Sequence, residues 1–526
     1  MLAQDPYLEV VVARLYEFFG RDTAWPRRLW CLGSILALDE VVEAAGFCQR
    51  GQFLPGAVRP LFVATAHQVL ADEGLGSGEF RNELRQHLIG SAFENAQETR
   101  QLEHLVRRAR LGYLDRLAAT ARGPEPPSAE ALARAVGAHL LDAGFSGDHL
   151  YRWVDALVRS SDTVTIGDVF EDAQRVEATR YKRYEVLVPM VRMPSMQAVA
   201  SHQWLDPAEV SRRLPGGAPY KGLRQVGAFR LNIKARDPWG AVDQAVDMLE
   251  RLAARVTVGI PGQQAFEDAG LAWVTGKQKP YRVRRVRRGV EVHALSRQSL
   301  VYEVDGRSSL SIDAALQLLS ALDAGAPGAA VAGGWAAVES LLSDPGDDGA
   351  YVAAERLAHL VACSLPRAEL TALSYIHAEH GTDALARALA VVSQNRRRAG
   401  ELEVALLSGQ ALTTPKITDR AATERVTALL TQPRTILKGV VTHVNQAILR
   451  LYRQRNLVMH SGSTSSVALA ATLRTAPSLV GAGIDRVVHA AADESLAPLD
   501  LAARAKTELA LVGTSGGRLV VDLLTR

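Results

Sequence analysis

Apolar residues recur every three to four positions over most of the chain, which is the spacing of α-helices with one buried face. The first 122 residues show this pattern throughout, including one long stretch from Phe93 to Leu117. The Gly/Pro-rich segment 123–128 then interrupts it, and two shorter helices follow. The pattern predicts an N-terminal helical domain, 1–122, and then a linker with a helical hairpin, 123–164.

The middle of the chain has shorter apolar runs rich in β-branched and aromatic residues. Tyr184–Val188 and Phe229–Ile233 have the composition of strands. Asp237 followed by Pro238 is a strong start signal for a helix, because Asp caps the first turn and Pro fits its first position. Further strands are predicted over Tyr281–Val286, Val290–Leu295 and Leu300–Val304. These elements predict a small α+β domain, 165–322.

A second joint, the Ala/Gly/Pro-rich segment Asp323–Gly334, precedes another helical region. Its helix over Thr435–Arg455 has a continuous apolar stripe. The stripe consists of Leu437, Val440, Val441, Val444, Ile448 and Leu451. The fold class expected is therefore multidomain and mainly α, with the α+β domain in the middle and a helical bundle over 325–526.

Composition narrows the class of protein. Of the 526 residues, 48% are hydrophobic and 22% are charged, as in ordinary globular proteins. The net charge of +3 is too small for the molecule as a whole to attract nucleic acid electrostatically. Three scattered cysteines indicate neither a disulfide framework nor a Cys-based metal site. The charged N-terminus is unlike a signal peptide, and no apolar run is long enough for a membrane span. We expect a cytoplasmic protein without membrane partners.

The most specific chemical pattern is Arg455-Asn456 followed by His460. Arg grips phosphate as a permanent planar cation, His exchanges protons at neutral pH, and Asn can orient either side chain. This set is sufficient for attack of an RNA 2′-hydroxyl on its neighbouring phosphate without a metal or other cofactor. A purely structural alternative also stays open, because Arg and His favour the C-terminal end of any helix and Gly462 would end this one. Arg81-Asn82 with His87 is a second copy, on what looks like a solvated helix face.

In its helical context, the C-terminal motif resembles that of the HEPN superfamily, whose ribonucleases have Arg, a polar residue, and His four to six positions after the Arg. Arg455, Asn456 and His460 match these positions. The resemblance covers about 325–526, although the stretch from Arg396 to Thr431 exceeds a minimal HEPN bundle. It implies a homodimer in which two motifs share one cleft, and cleavage to a 2′,3′-cyclic phosphate.

Substrate capture is assigned to the densest basic run of the sequence, which a hairpin with its tip at Arg288-Gly289 would present to an RNA backbone. The run consists of Lys277, Lys279, Arg282, Arg284, Arg285, Arg287 and Arg288. An edge hairpin protected by charge against aggregation is the alternative. His377-Ala378-Glu379-His380 lacks a third metal ligand, so no metal site is predicted.

The sequence thus predicts a metal-independent HEPN-type endoribonuclease acting on RNA. By analogy alone, such an enzyme fits a toxin or phage-defence setting, in which residues 1–322 respond to an unidentified trigger or regulatory protein. The alternative is a non-catalytic helical module that binds RNA or protein and acts as a regulatory scaffold.

Overall fold

The computed structural model describes residues 5–90, 95–160, 163–193, 203–214, 223–260, 266–303 and 310–525. Within these ranges the chain is mainly helical, with one small antiparallel sheet in its middle, which confirms the coarse fold class. Contacts group the chain into two compact units. The helical unit comprises 1–139, 157–170 and 287–526, and the sheet unit comprises 140–156 and 171–286. The four predicted domains stay predictions, and their boundaries do not coincide with those of the two units.

Nine α-helices precede the sheet in the described part of the chain. They are α1 (Pro6–Phe19), α2 (Ser34–Gln49), α3 (Pro55–Ala71), α4 (Gly78–Ile89), α5 (Ala96–Arg110), α6 (Tyr113–Ala121), α7 (Ala129–Asp142), α8 (Gly147–Arg159) and α9 (Ile166–Glu177). The single stretch predicted from Phe93 to Leu117 is divided at Gly112, whose positive φ of 68° suits glycine. Its first two residues lie outside the described ranges.

Besides parts of α7, α8 and α9, the sheet unit contains six described strands and two further helices. They are β1 (Lys182–Arg192), β2 (Trp204–Leu205), α10 (Pro207–Arg213), β3 (Gly227–Ala235), α11 (Pro238–Gly259), β4 (Glu267–Asp268), β5 (Leu271–Val274) and β6 (Tyr281–Arg282). The strand order is β2-β3-β1-β5-β6, with β4 also pairing with β1. Both strands predicted at 184–188 and 229–233 are confirmed within β1 and β3.

Strand β1 is covered on both faces. It runs antiparallel to β3, from the pair Lys182 and Ala235 to the pair Met190 and Gly227. Val186 and Val188 pack with α11 on one face, whereas Leu187 packs with α10 on the other. The start of α11 confirms its sequence signal, because the Asp237 carboxylate accepts the Gly240 N–H at 2.8 Å.

Ten more described α-helices complete the helical unit. They are α12 (Ala294–Arg297), α13 (Leu310–Ala324), α14 (Pro327–Leu342), α15 (Tyr351–His380), α16 (Ala384–Val391), α17 (Asn395–Leu407), α18 (Ile417–Thr431), α19 (Pro433–Ser461), α20 (Leu469–Glu494) and α21 (Pro498–Leu511). Helices α14, α15, α19 and α20 contribute most residues of one large core cluster in this region. Trp335 of α14 is fully buried, with its ring 4.7 Å from that of Tyr452 on α19. The apolar stripe predicted for α19 faces this core.

The joint predicted at Asp323–Gly334 is wrong, because only Gly325 and Ala326 separate α13 from α14. Its glycines serve close helix packing instead. A Cβ added to Gly333 would lie 2.7 Å from the Leu318 carbonyl oxygen, and one added to Gly334 would lie 2.7 Å from Leu322 Cδ1. The small residues therefore let two helices approach and do not loosen the chain.

The strands predicted after residue 280 are largely wrong. The first is reduced to β6, and Val290–Leu295 forms no strand and overlaps only the start of α12. The Asp323 carboxylate accepts the backbone N–H groups of Arg288, Gly289 and Val290 at 3.0 to 3.2 Å, so these groups cannot pair with a strand. Residues 300–303 form no strand either, and Val304 lies outside the described ranges.

A buried charge network joins the N-terminal helices to the C-terminal helices within the helical unit. Arg27 donates to Glu369 of α15 and to Asp419 of α18, at 3.0 Å in each case. Arg425 of α18 lies 3.3 Å from Glu17 of α1, and Glu17 also pairs with Arg14. Breaking one partner of such a network is costly, since it leaves a buried charge uncompensated.

No helix in the described ranges is long and apolar enough to cross a bilayer.

Candidate functional site

The Arg-Asn…His motif lies in the last two turns of α19, which continues without a break to Ser461. Gly462 ends the helix in the left-handed conformation, with φ of 64°, and its N–H donates to the Val458 carbonyl at 3.1 Å. The helix end expected near His460 is therefore present. Because five residues of an α-helix span about 500°, Arg455 and His460 are rotated by roughly 140° from each other.

Arg455 and Asn456 are half-buried and contact each other. The Arg455 Nη1 donates to Asn456 Oδ1 at 3.0 Å, so the amide fixes the direction of the guanidinium. No carboxylate in the described ranges forms an ion pair with Arg455. Its charge is therefore available for an anion from outside the protein.

His460 is exposed, in the last turn of α19. Within the described part of the chain, its imidazole makes no hydrogen bond or ion pair. A solvent-facing imidazole at a helix end is free to exchange protons with a bound ligand.

The two other arginines at this end of α19 share one buried carboxylate. Glu40 of α2 accepts from Arg450 Nε at 3.0 Å and from Arg453 Nη2 at 3.0 Å. Glu40 is only 3% exposed, and Arg450 only 6%. Burial alone would raise the pKa of the Glu40 carboxyl, but the charges of Arg453 and Arg450 hold that pKa below its ordinary value. Glu40 is thus the ionised anchor of two turns of α19.

Glu43, one turn further along α2, holds the loop that follows α19. Its carboxylate accepts the Ser466 hydroxyl at 2.6 Å and the Val467 N–H at 3.1 Å. Gln454 of α19 in turn donates to Ser466 at 2.9 Å. Together Glu40 and Glu43 fix the helix and the loop on both sides of the motif. The sequence analysis did not identify Glu40 and Glu43, because no local pattern links them to residues some 410 positions away. The one available sign was a pair of acidic residues three positions apart in an otherwise apolar helix.

The second copy of the motif is engaged in local contacts. On α4, Arg81 donates to the Leu70 carbonyl, and His87 lies 3.4 Å from Glu83. Both key side chains are therefore already bound within the protein, which favours the copy on α19.

The seven residues of the basic run do not form one hairpin. Lys277, Lys279, Arg282, Arg284 and Arg285 are exposed in the sheet unit, and none has an ion pair among the described residues. Arg287 and Arg288 belong to the helical unit and bind the end of α13. Arg287 lies 2.7 Å from the Asp323 carboxylate, and Arg288 donates to the Leu322 carbonyl at 3.0 Å. The hairpin tip predicted at Arg288-Gly289 is wrong for this reason.

The His377-Ala378-Glu379-His380 segment contains one buried histidine. The Nε2 atom of His377 lies 3.1 Å from Asp383, and its Nδ1 accepts the Thr413 N–H at 3.0 Å. Both ring nitrogens are therefore used in structural bonds. No group of three His, Cys, Asp or Glu side chains suited to a metal ion occurs in the described ranges.

Comparisons with family models, with curated proteins and with solved structures find no match to this chain. Its function is therefore inferred from the chemistry of α19 and of the residues around it.

Proposed function

We propose that this protein is a metal-independent endoribonuclease of HEPN type with Arg455, Asn456 and His460 as its catalytic residues. The observation that supports it most is a difference in partners among the three arginines at the end of α19: two pair with a carboxylate and one does not. Arg450 and Arg453 are committed to Glu40, whereas Arg455 has only the neutral Asn456 as a partner among the described residues. A guanidinium kept free of carboxylates, beside an exposed histidine, suits the binding of a phosphodiester.

The reaction proposed is an intramolecular transesterification. The RNA 2′-oxygen forms a bond to the adjacent phosphorus, and the bond from phosphorus to the 5′-oxygen of the next nucleotide breaks. His460 takes the proton from the 2′-hydroxyl or delivers one to the departing 5′-oxygen. Arg455 stabilises the charge that gathers on the phosphoryl oxygens, and Asn456 keeps its guanidinium oriented. The products end in a 2′,3′-cyclic phosphate and a 5′-hydroxyl.

The working unit proposed is a homodimer. Since Arg455 and His460 project in different directions from one continuous helix, a single copy does not direct both at one phosphate. Two copies whose α19 ends meet would bring an Arg455 and a His460 to the same cleft.

The direct test is incubation of the purified protein with end-labelled RNAs in excess EDTA, followed by chemical mapping of the product ends. We expect cleavage that EDTA leaves unchanged, with cyclic phosphate and 5′-hydroxyl ends. A requirement for Mg²⁺, or 5′-phosphate ends, would contradict the proposed chemistry. No cleavage of either structured or single-stranded RNAs would favour the scaffold function below.

The Arg455→Lys variant is expected to be nearly as impaired as Arg455→Ala, because an ammonium cannot bind two phosphate oxygens in the planar geometry of a guanidinium. Removing one interaction made in the transition state costs on the order of 2–4 kcal/mol, a decrease of roughly a hundredfold or more in kcat. The matched control is Arg434→Lys, an exposed residue in the first turn of the same helix. Full activity of Arg455→Lys would show that only a positive charge is needed there.

The exposed part of the basic run is proposed to capture RNA. Charge reversal of Arg284 and Arg285 to Glu is expected to weaken RNA binding and to reduce its salt dependence, by about one unit of slope for each phosphate that the variant no longer binds. Turnover at saturating RNA is expected to change little. The control reverses Arg100 and Arg107, two exposed arginines of α5. Equal effects of the two double variants would mean that the run has no specific role.

A second candidate function is a non-catalytic scaffold that binds RNA or protein. It is favoured by the position of His460 in the last turn of α19 and by Gly462 at its end, since an ordinary helix terminus has both features. In that case, Arg455 and His460 variants would leave partner binding unchanged.

A further inference from the structure

A large cavity lies inside the helical unit, away from α19. Its volume is about 1060 Å³, at the upper end of the range for small-molecule sites. Its walls come from the turn at Ala24–Arg27, from α12, α15, α17 and α20, and from the C-terminal segment 523–525. No residue of α19 lines it, so it is separate from the proposed catalytic site.

Two arginines in this cavity form no ion pair with a carboxylate of the described residues. Arg486 of α20 is 8% exposed and donates to the Leu524 carbonyl. Arg367 of α15 donates to the Val521 carbonyl at 3.1 Å and to the Leu523 carbonyl at 2.6 Å. Neither guanidinium forms an ion pair with a described residue, and each has further N–H groups without an acceptor there. A buried cation without a counter-charge is unfavourable unless a ligand supplies one.

The electrostatic setting of these arginines is unusual. Burial, together with repulsion from Arg486 and Arg396, lowers the pKa of Arg367 to about 10. Burial also lowers the pKa of Arg486, despite the more distant carboxylates of Glu494 and Asp485. Five arginines and five acidic side chains line the cavity, so any attraction for an anion is local to Arg367 and Arg486, which form no ion pair with a described residue.

The acidic residues in the same walls are already engaged. Asp485 accepts the Ala294 N–H at 2.7 Å, and Asp493 lies 3.3 Å from His489. Glu369 belongs to the buried charge network, as the partner of Arg27. At the exposed mouth, Arg297 has no ion pair with a described residue. The cavity therefore favours an anion near Arg367 and Arg486.

Aromatic and amide side chains line the same cavity. Trp25 stacks on Trp30 with ring centroids 6.2 Å apart. Tyr375 is half exposed, with Arg398 over one face of its ring and its hydroxyl donating to Asn395, so only its other face is open to a ligand. Gln394 and Asn395 also line the wall. Flat aromatic surfaces with nearby amides suit a planar heterocycle, whereas guanidiniums suit a phosphate.

We propose that this cavity binds a small phosphorylated ligand of nucleotide size, with its phosphate on Arg367 and Arg486 and its planar ring toward Trp25 and Tyr375. The inference does not depend on the function proposed for α19. It assigns the helical unit a second site, whose ligand would contact α15, α20 and the C-terminal segment at once.

The test is calorimetric titration of the full-length protein with ADP, adenosine and inorganic phosphate. We expect ADP to bind more tightly than either of the other two, and Arg367→Gln to weaken ADP binding by roughly tenfold or more. Arg297→Gln, an exposed substitution that leaves the core intact, is expected to weaken it to a smaller extent. Arg434→Gln is the control for charge alone, and Arg455→Lys is expected to retain ADP binding, which separates this cavity from α19.

Two results would overturn the inference. Equal affinity for inorganic phosphate and ADP would show that the planar ring of ADP makes no contact that contributes to binding. Failure of ADP to bind would also overturn it, and lower thermal stability of Arg367→Gln would then show that Arg367 and Arg486 hold the C-terminal segment through the carbonyls of Val521, Leu523 and Leu524.

Discussion

The His460→Ala variant is expected to lose RNA cleavage by a factor of roughly 10²–10⁴, the usual contribution of a positioned acid or base. Its fold is expected to be unchanged, since the imidazole is exposed and bonds no described residue. A surface substitution of this kind shifts the free energy of unfolding by only about 0.5 kcal/mol. The measurements are single-turnover cleavage of labelled RNA, RNA affinity, and thermal unfolding.

The matched control for this variant is His104→Ala, which removes an exposed histidine from α5. It is expected to cleave RNA at the wild-type rate. If His460→Ala cleaves as fast as His104→Ala, His460 is not the proton-transfer residue and the function proposed for α19 loses its central group.

Glu40→Ala is expected to lower the free energy of unfolding by about 3–5 kcal/mol, because it leaves Arg450 and Arg453 buried without a counter-charge. Urea unfolding followed by circular dichroism measures this effect. The neighbouring Asp39→Ala is the control, since Asp39 pairs with an Arg110 that is half exposed. Exposed pairs of that kind contribute about 1 kcal/mol or less.

A triple variant tests the cause of this loss. Replacing Glu40 with Leu, and Arg450 and Arg453 with Met, removes all three charges and keeps apolar volume in the site. Stability close to that of the wild type is expected, as buried ion pairs are often replaceable by packed apolar residues. If Glu40→Ala destabilises no more than Asp39→Ala, α2 does not anchor α19 in the way the ion pairs indicate.

Local signals in the sequence were sufficient for many elements. The N-cap at Asp237 and the apolar stripe of α19 predicted helices that the structure contains, because each depends on residues within a few turns. Strands β1 and β3 were also found, since β-branched and aromatic runs favour the extended backbone whatever lies beside them.

The errors come from distant partners. Val290 and Val292 have strand-forming side chains, yet they pack against the helical core, and Asp323 binds the preceding backbone. Gly333 and Gly334 looked like a joint because their role depends on Leu318 and Leu322 of the adjacent helix. In the candidate site, Arg455 and His460 were visible as a short motif. Glu40 pairs with Arg450 and Arg453 but not with Arg455, and only the folded structure brings it next to them.

The buried charge network also bears on how the chain is made. Arg27 and its partner Asp419 are 392 residues apart in the sequence. At about 5–20 residues per second on the ribosome, the partner of Arg27 emerges roughly 20–80 seconds later. The sheet unit, which ends at Val286, is fully synthesised well before that moment. The helical unit therefore completes this network only after α18 has been synthesised, and until then Arg27 lacks at least one of its partners Glu369 and Asp419.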